Sequence, residues 1–339
     1  MAEPRFIDKL KDYLSTAEGR DVSLRDIRTY LKIEPGSEDD QNLRKVMSGS
    51  LVSKRIVAPS GKNDGTYKVI KQVSPVRVFD ANRKRRAIVE LRFPRDFSTD
   101  MELSFAEAIV VREGDLITIG GTKSSGKTQL CMGFVAENID SYPVLMGNEY
   151  TIFSEGVYEP APRFMARLDR MSEWVCWTNG DGADKFMLLP VSDDYAEHVV
   201  SDKINIVDWI SLDADKSYDI GRVLKGIKSN VGRGIGIAAL QKGEGAINPR
   251  GGQFVRDFSD VEILLDPLGK NSHDVRLTLK GVKEATKAIV GKSYAYTIGE
   301  GGTKIFNFRE VIPCKGCSGS GSYKGHDCDQ CWGVGWQDK

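Results

Sequence analysis

Between residues 121 and 128 the chain reads GTKSSGKT, the pattern G-x-x-x-x-G-K-[ST]. Gly121 and Gly126 permit a tight turn. Between them Thr122, Lys123, Ser124 and Ser125 present successive backbone N–H groups to a phosphate, and a helix opening at Gly126 adds its N-terminal dipole. Lys127 would reach the β and γ phosphates, and Thr128 would set its hydroxyl on Mg²⁺. The pattern therefore implies ATP with Mg²⁺.

A second constellation stands at the other end. Of six cysteines, four fall in CKGCSGSG (314–321) and CDQCWGVG (328–335), two copies of C-x-x-C-x-G-x-G. Cys314, Cys317, Cys328 and Cys331 can supply four thiolates to a closed tetrahedral Zn²⁺ site, with the glycines turning backbone N–H groups toward sulfur. His326 lies between the copies, but four thiols already complete the shell. A closed site of this kind is structural and staples a tail too short to hold a core. Cys131 and Cys176 read as ordinary cysteines.

Hydrolysis of a nucleotide needs a metal anchor and a group that handles the attacking water. KINIVDW ends an apolar run with Asp208, the expected second Mg²⁺ anchor, and PVLMGNE ends the preceding one with Glu149, a base at the strand edge where ligands bind in open α/β sheets. Glu155 and Glu159 offer the same chemistry from less favourable places. GIGIAALQ ends in Gln241, a neutral donor and acceptor suited to sensing the γ-phosphate. The glycine-rich stretch 243–253 follows, with Arg250 in it and Arg256 after it as candidate phosphate contacts.

These residues need a scaffold. Over residues 101–312 short apolar strands (DLITIG, PVLMGN, KINIVDW, GIGIAAL, VEILLD) alternate with helical stretches, which is α/β with a largely parallel sheet. Residues 1–75 carry helical spacing three times, with N-caps at Ser23 and near Ser37, and then two arms, RIVAP and TYKVI, around SGKNDG. Three helices and a hairpin in this order look like a winged helix, whose third helix would carry Arg44 and Lys45 into a DNA groove. A protein-interaction module of the same shape is the alternative. Residues 76–100, with Arg83, Lys84, Arg85, Arg86, Arg92 and Arg95, read as a basic linker, and 313–339 as the zinc tail.

The whole chain has 339 residues, 40% apolar and 28% charged, which suits two domains with small attachments and excludes wholesale disorder. Lys plus Arg and Asp plus Glu both total 48, so any polyanion site must be local. No apolar run is long enough to span a membrane, and the charged amphipathic start lacks signal-peptide character. These features imply a cytoplasmic protein with no membrane partner.

The order of P-loop, strand-ending Glu149, IVDW, ALQ, glycine-rich loop and FSDVEILLD resembles the RecA superfamily core. The likeness covers residues 101–312 and is to the branch that holds DnaB-type replicative helicases, RadA-type proteins and RecA-like phage ATPases. It implies an ATP-hydrolysing, DNA-binding motor of replication or recombination, acting on single-stranded DNA as a homo-oligomeric ring or filament in a bacterial or phage-infected cell. It also implies Glu149 as catalytic base, Gln241 as the switch to a DNA loop at 243–253, and ATP shared between subunits with a basic finger from the neighbour. The family's Lys-x-Arg is replaced by VRLTLKGVKEATK, leaving Lys280 or Lys283 as the finger. The helicases' helical collar is replaced by the winged-helix-like unit. The tail resembles half of the zinc region of DnaJ-type chaperones, which implies one zinc. A nucleotide-switched loader or regulator and a KaiC-like signalling ATPase remain as alternatives.

Overall fold

The computed structural model describes residues 6–61, 65–71, 90–210, 219–269 and 273–339. It divides into two units, Met1–Lys84 and Arg85–Lys339. Arg83, Lys84, Arg85 and Arg86 of the basic run, and residues 62–64 of the SGKNDG turn, lie outside the described residues.

The first unit runs α1 (Phe6–Thr16), β1 (Asp21–Ser23), α2 (Leu24–Leu31), α3 (Glu38–Lys45), a π-type turn (Val46–Leu51), β2 (Val57–Pro59) and β3 (Thr66–Val69). Ser23 caps α2 in a reciprocal box with Asp26, and Ser37 caps α3 through the Asp40 N–H. Leu10, Leu14, Ile27, Leu43, Met47 and Leu51 form its core. Strand β1, which the sequence pattern does not show, pairs with β3, so the hairpin becomes a three-stranded sheet in the order β1-β3-β2. Arg44 lies on the exposed side of α3 and pairs with Asp40 at 3.5 Å.

The second unit begins with β4 (Arg95–Asp96) and β5 (Met101–Glu102), followed by β6 (Leu116–Gly121), α4 (Lys127–Glu137), β7 (Val144–Met146), β8 (Thr151–Ser154) and β9 (Val157–Pro160). Next come α5 (Pro162–Met171), β10 (Met187–Leu189), β11 (Ile204–Ile210), α6 (Ile220–Asn230), β12 (Ile235–Gln241), α7 (Gln253–Phe258) and β13 (Val261–Pro267). The chain closes with β14 (Asp274–Val282), β15 (Ser293–Gly299), β16 (Lys304–Pro313), β17 (Ser322–Tyr323), β18 (His326–Asp327) and β19 (Trp336–Asp338).

One sheet of 12 strands organises the unit, in the order β10-β7-β11-β12-β6-β13-β14-β15-β16-β4-β5, with β19 added on β16. From β10 to β13 the neighbours are parallel, as the alternation of strand and helix implies. From β13 to β16 they are antiparallel, an extension that pattern alone did not separate from the parallel part. Strand β6 is buried along its whole length, and α4 is apolar nearly all round because it too is enclosed. At Gly133 of α4 an added Cβ would stand 2.9 Å from Pro94, so the glycine admits the incoming chain.

That incoming chain corrects the linker boundary. Leu91 and Phe93 are buried in the main core, Phe93 against Phe105 and Phe134, and Arg95 makes a fork to Glu137 at 2.6 and 2.9 Å. The core therefore starts by Leu91, inside the stretch read as linker; the basic residues around these apolar ones masked them.

Candidate nucleotide site and cysteine cluster

The phosphate loop leaves β6 at Gly121 and enters α4 at Lys127. Gly126 sits at φ 90°, a left-handed conformation that only glycine adopts cheaply, and it turns the chain into the helix. The buried Ser125 hydroxyl donates to Thr122 O at 2.9 Å and closes the loop on itself, while Lys123 and Ser124 form its exposed tip. Lys127 lies folded inward: Nζ donates to Gly121 O at 3.0 Å, Thr122 O at 2.7 Å and Gln241 Oε1 at 3.2 Å. Burial holds its ammonium below the ordinary lysine range.

Strand order brings the other groups in. Strand β12 lies between β6 and β11, so Gln241, paired in register with Gly121, comes between the loop and Asp208. Asp208 is buried; burial pushes its carboxyl up, opposed by the hydroxyls of Tyr150 and Thr128. Tyr150 donates to its Oδ2 at 2.5 Å, while Oδ1 is buried without a hydrogen-bond partner. Glu149 stands in a turn of 3₁₀ helix three residues beyond β7, where its Oε1 accepts from Trp209 Nε1 at 3.4 Å. Lys127, Thr128, Asp208, Glu149 and Gln241 thus converge at the carboxyl ends of the parallel strands, where open α/β sheets bind ligands.

The unpartnered oxygen of Asp208 and the Thr128 hydroxyl beside the same carboxyl group suit a hard cation held by one carboxylate, one hydroxyl and phosphate oxygens. A Mg²⁺ ion there would neutralise charge on the phosphates; Thr128 and Asp208 would hold it.

Tyr150 and Trp209, which fix Asp208 and Glu149, were missed in the sequence, although each directly adjoins a residue singled out there. Glu155 falls in the turn of the β8–β9 ribbon and Glu159 on β9, both exposed. That ribbon exposes Ile152, Phe153, Val157 and Tyr158, with Phe153 and Tyr158 in ring contact at 5.0 Å.

Lys280 and Lys283 do not meet the site within their own chain. They lie at the start of the parallel strands, where Lys283 Nζ donates to Asp260 Oδ1 at 3.0 Å and Lys228 takes the other carboxylate oxygen. Arg256 belongs with them rather than with the glycine-rich loop: it pairs with the buried Glu262 at 3.4 Å and lines one pocket with Lys280 and Lys283. Arg250 is exposed, and its backbone N–H donates to Gln241 O at 2.9 Å.

In the tail, the four sulfurs of Cys314, Cys317, Cys328 and Cys331 lie within 4.8 Å of one another, and all four residues are buried. Sγ separations of 3.9 Å (Cys314–Cys328) and 3.7 Å (Cys317–Cys331) match the ~3.8 Å edge of a tetrahedron with Zn–S near 2.3 Å. Gly321 and Gly335 N–H donate to the Cys317 and Cys331 sulfurs at 3.2 and 3.1 Å. The residues fit a Zn²⁺ ion, which would offset half the charge of four converging thiolates, with the N–H groups of Gly321 and Gly335 turned toward two of the sulfurs. His326 is exposed and outside the cluster.

No family model matches the chain, and no curated protein matches it. Among solved structures it is similar to the RadB recombinase, at 18% identity over 57% of this chain and 91% of that one, with a TM-score of 0.41. A KaiC-like protein, PH0186 from Pyrococcus horikoshii OT3, matches at 15% identity over 63% of this chain and 100% of that one, with a TM-score of 0.43. The assignment of the fold rests on the molecule's own topology: β13, β6, β12, β11 and β7 stand side by side, with the phosphate loop after β6 and Asp208 on β11.

Proposed function

We propose that this RecA-like fold, with its P-loop and its cysteine cluster, is an ATP-hydrolysing DNA motor of replication or recombination. The carrying observation is the double engagement of Gln241: its side chain meets Lys127 Nζ, and its carbonyl holds the Arg250 N–H at the far end of the glycine-rich loop. A change at the γ-phosphate that moves Gln241 would pass directly to a loop that carries an exposed arginine. In this reading Glu149 polarises the attacking water, Lys127 and Thr128 hold phosphate and Mg²⁺, and Asp208 anchors the metal. Lys280 or Lys283 serves as the finger for the next subunit in a ring or filament, and single-stranded DNA is the nucleic acid bound.

The helix–strand–helix–helix–strand–strand order of the first unit supports a winged helix. Glu38 and Asp39, exposed in the first turn of α3, repel phosphate, so Arg44 and Lys45 would touch DNA only from the later part of the helix. The deciding experiment measures ATPase rate with and without single-stranded DNA at two stated salt concentrations. Stimulation by DNA that disappears in Gln241→Ala supports the motor, and a rate indifferent to DNA removes it. The exposed apolar β8–β9 ribbon favours a second reading, a nucleotide-switched loader that binds a protein partner.

A further inference from the structure

Strands β12 and β13 flank the phosphate-loop strand β6, with Gln241 and Leu265 both in register with Gly121. The next residue on each, Lys242 and Asp266, therefore stands to either side of Thr122, the first residue of the loop. Their side chains join in an ion pair across it. Lys242 is 6% exposed in its side chain and Asp266 19%, so the pair is sheltered from solvent. The Lys242 backbone N–H also donates to Gly121 O at 2.8 Å, the carbonyl that accepts from Lys127 Nζ.

Asp266 is shared. Arg276, its register partner on β14, donates to Oδ2 at 2.7 Å. Burial drives the Asp266 carboxyl up, but Lys242 and Arg276 outweigh that and hold it below the ordinary carboxylate value. The guanidinium carbon of Arg276 lies 4.2 Å from the centre of the Trp336 ring. Trp336 comes from the tail: it opens β19, which pairs with β16 only five residues after Cys331, and it packs on Leu268, Ala295 and Val311. Arg276 Nε is buried without a hydrogen-bond partner, so the guanidinium is held by Asp266 and by the indole ring.

We infer that Lys242, Asp266, Arg276 and Trp336 form a strap by which the cysteine-rich tail positions the root of the phosphate loop and sets its affinity for nucleotide. None of the four touches phosphate; they are positioning residues. A sheltered ion pair fixes geometry only while the carboxylate is aimed, and Asp266 is aimed by an arginine whose guanidinium carbon is held over the Trp336 ring. Withdrawal of the ring frees Arg276, lets Asp266 turn from Lys242, and loosens the Gly121 carbonyl that Lys242 N–H and Lys127 Nζ hold together. The inference rests on the nucleotide-binding reading above.

The test is binding of a fluorescent ATP analogue to full-length Trp336→Ala and Trp336→Phe, with zinc content and thermal midpoint measured on the same samples. Trp336→Ala should weaken binding on the order of tenfold, within the usual span of coupling between sites. It should keep its zinc, because all four thiols remain, and Trp336→Phe should restore most of the affinity, because a ring face remains. Wild-type affinity in Trp336→Ala, or equal losses in both variants, overturns the strap. If Trp336→Ala loses the tail's fold, Asp266→Asn carries the same arm: it must weaken binding at least as much, and unchanged affinity overturns the proposal. A wild-type protein that binds no ATP analogue while holding zinc shows instead that the nucleotide reading has failed, and the strap falls with it.

Discussion

Tyr150 donates its hydroxyl to Asp208 at 2.5 Å, so the residue beside the candidate base also pins the candidate metal anchor. A shift of the β7 end therefore moves Glu149 and Asp208 together, and base and metal site are adjusted as one.

Lys127→Ala should weaken ATP binding on the order of a hundredfold, because it deletes the one buried cation that already bridges the loop carbonyls and Gln241. Equilibrium binding of labelled ATP checks it, and hydrolysis at the wild-type rate would sink the site.

Glu149→Gln should keep ATP bound while turnover drops by about 10²–10⁴-fold, the usual worth of a positioned base. Glu155→Gln should be close to wild type, since its side chain belongs to the exposed ribbon. Single-turnover kinetics on the two variants distinguish them; the reverse result moves the base to Glu155.

Elemental analysis should find one zinc per chain, and Cys317→Ser should lose it. Two zincs, or none in protein prepared without chelator, would contradict the four-thiolate site.

Acid stability should depend on Asp260. Burial raises its carboxyl, but Lys228, the Leu116 N–H and Lys283 outweigh burial and hold it below the ordinary value of 3.8. A depressed folded-state value stabilises fully above that ordinary value, and the contribution disappears as pH falls through the folded-state one. Asp260→Asn should cost about 2–3 kcal/mol at neutral pH and flatten the acid limb of the stability curve below about pH 4. Denaturant melts at neutral and acid pH test the sign.

Mixing tests the shared site. Glu149→Gln chains and Lys280→Ala/Lys283→Ala chains should each be inactive, and a mixture should regain part of the wild-type rate through interfaces with one intact base and one intact finger. Full activity of the double-lysine variant alone removes the finger from these lysines.

What the sequence revealed depended on distance along the chain. The phosphate loop and the cysteine repeats are local patterns, and each lies folded on itself. Asp208, Glu149 and Gln241 were legible because each follows an apolar run and strand ends gather at one edge. Lys242, Asp266, Arg276 and Trp336 meet only because β12, β6, β13 and β14 are neighbours and the tail returns to β16, which no short window records. Strand β1 has three residues, too few to display alternation. The ribbon at Thr151–Pro160 was hidden for the opposite reason: both of its faces are exposed, so its apolar residues do not alternate with polar ones.

The two cysteine knuckles complete each other. The Cys314 N–H donates to Gly335 O at 2.8 Å and the Cys328 N–H to Gly321 O at 2.9 Å, so the first residue of each copy is capped by the last residue of the other. Neither half has a finished hydrogen-bond set alone, and each brings two of the four sulfurs. The tail is thus a mutual clasp: damage to one knuckle takes from the other a hydrogen-bond partner and two of the four sulfurs.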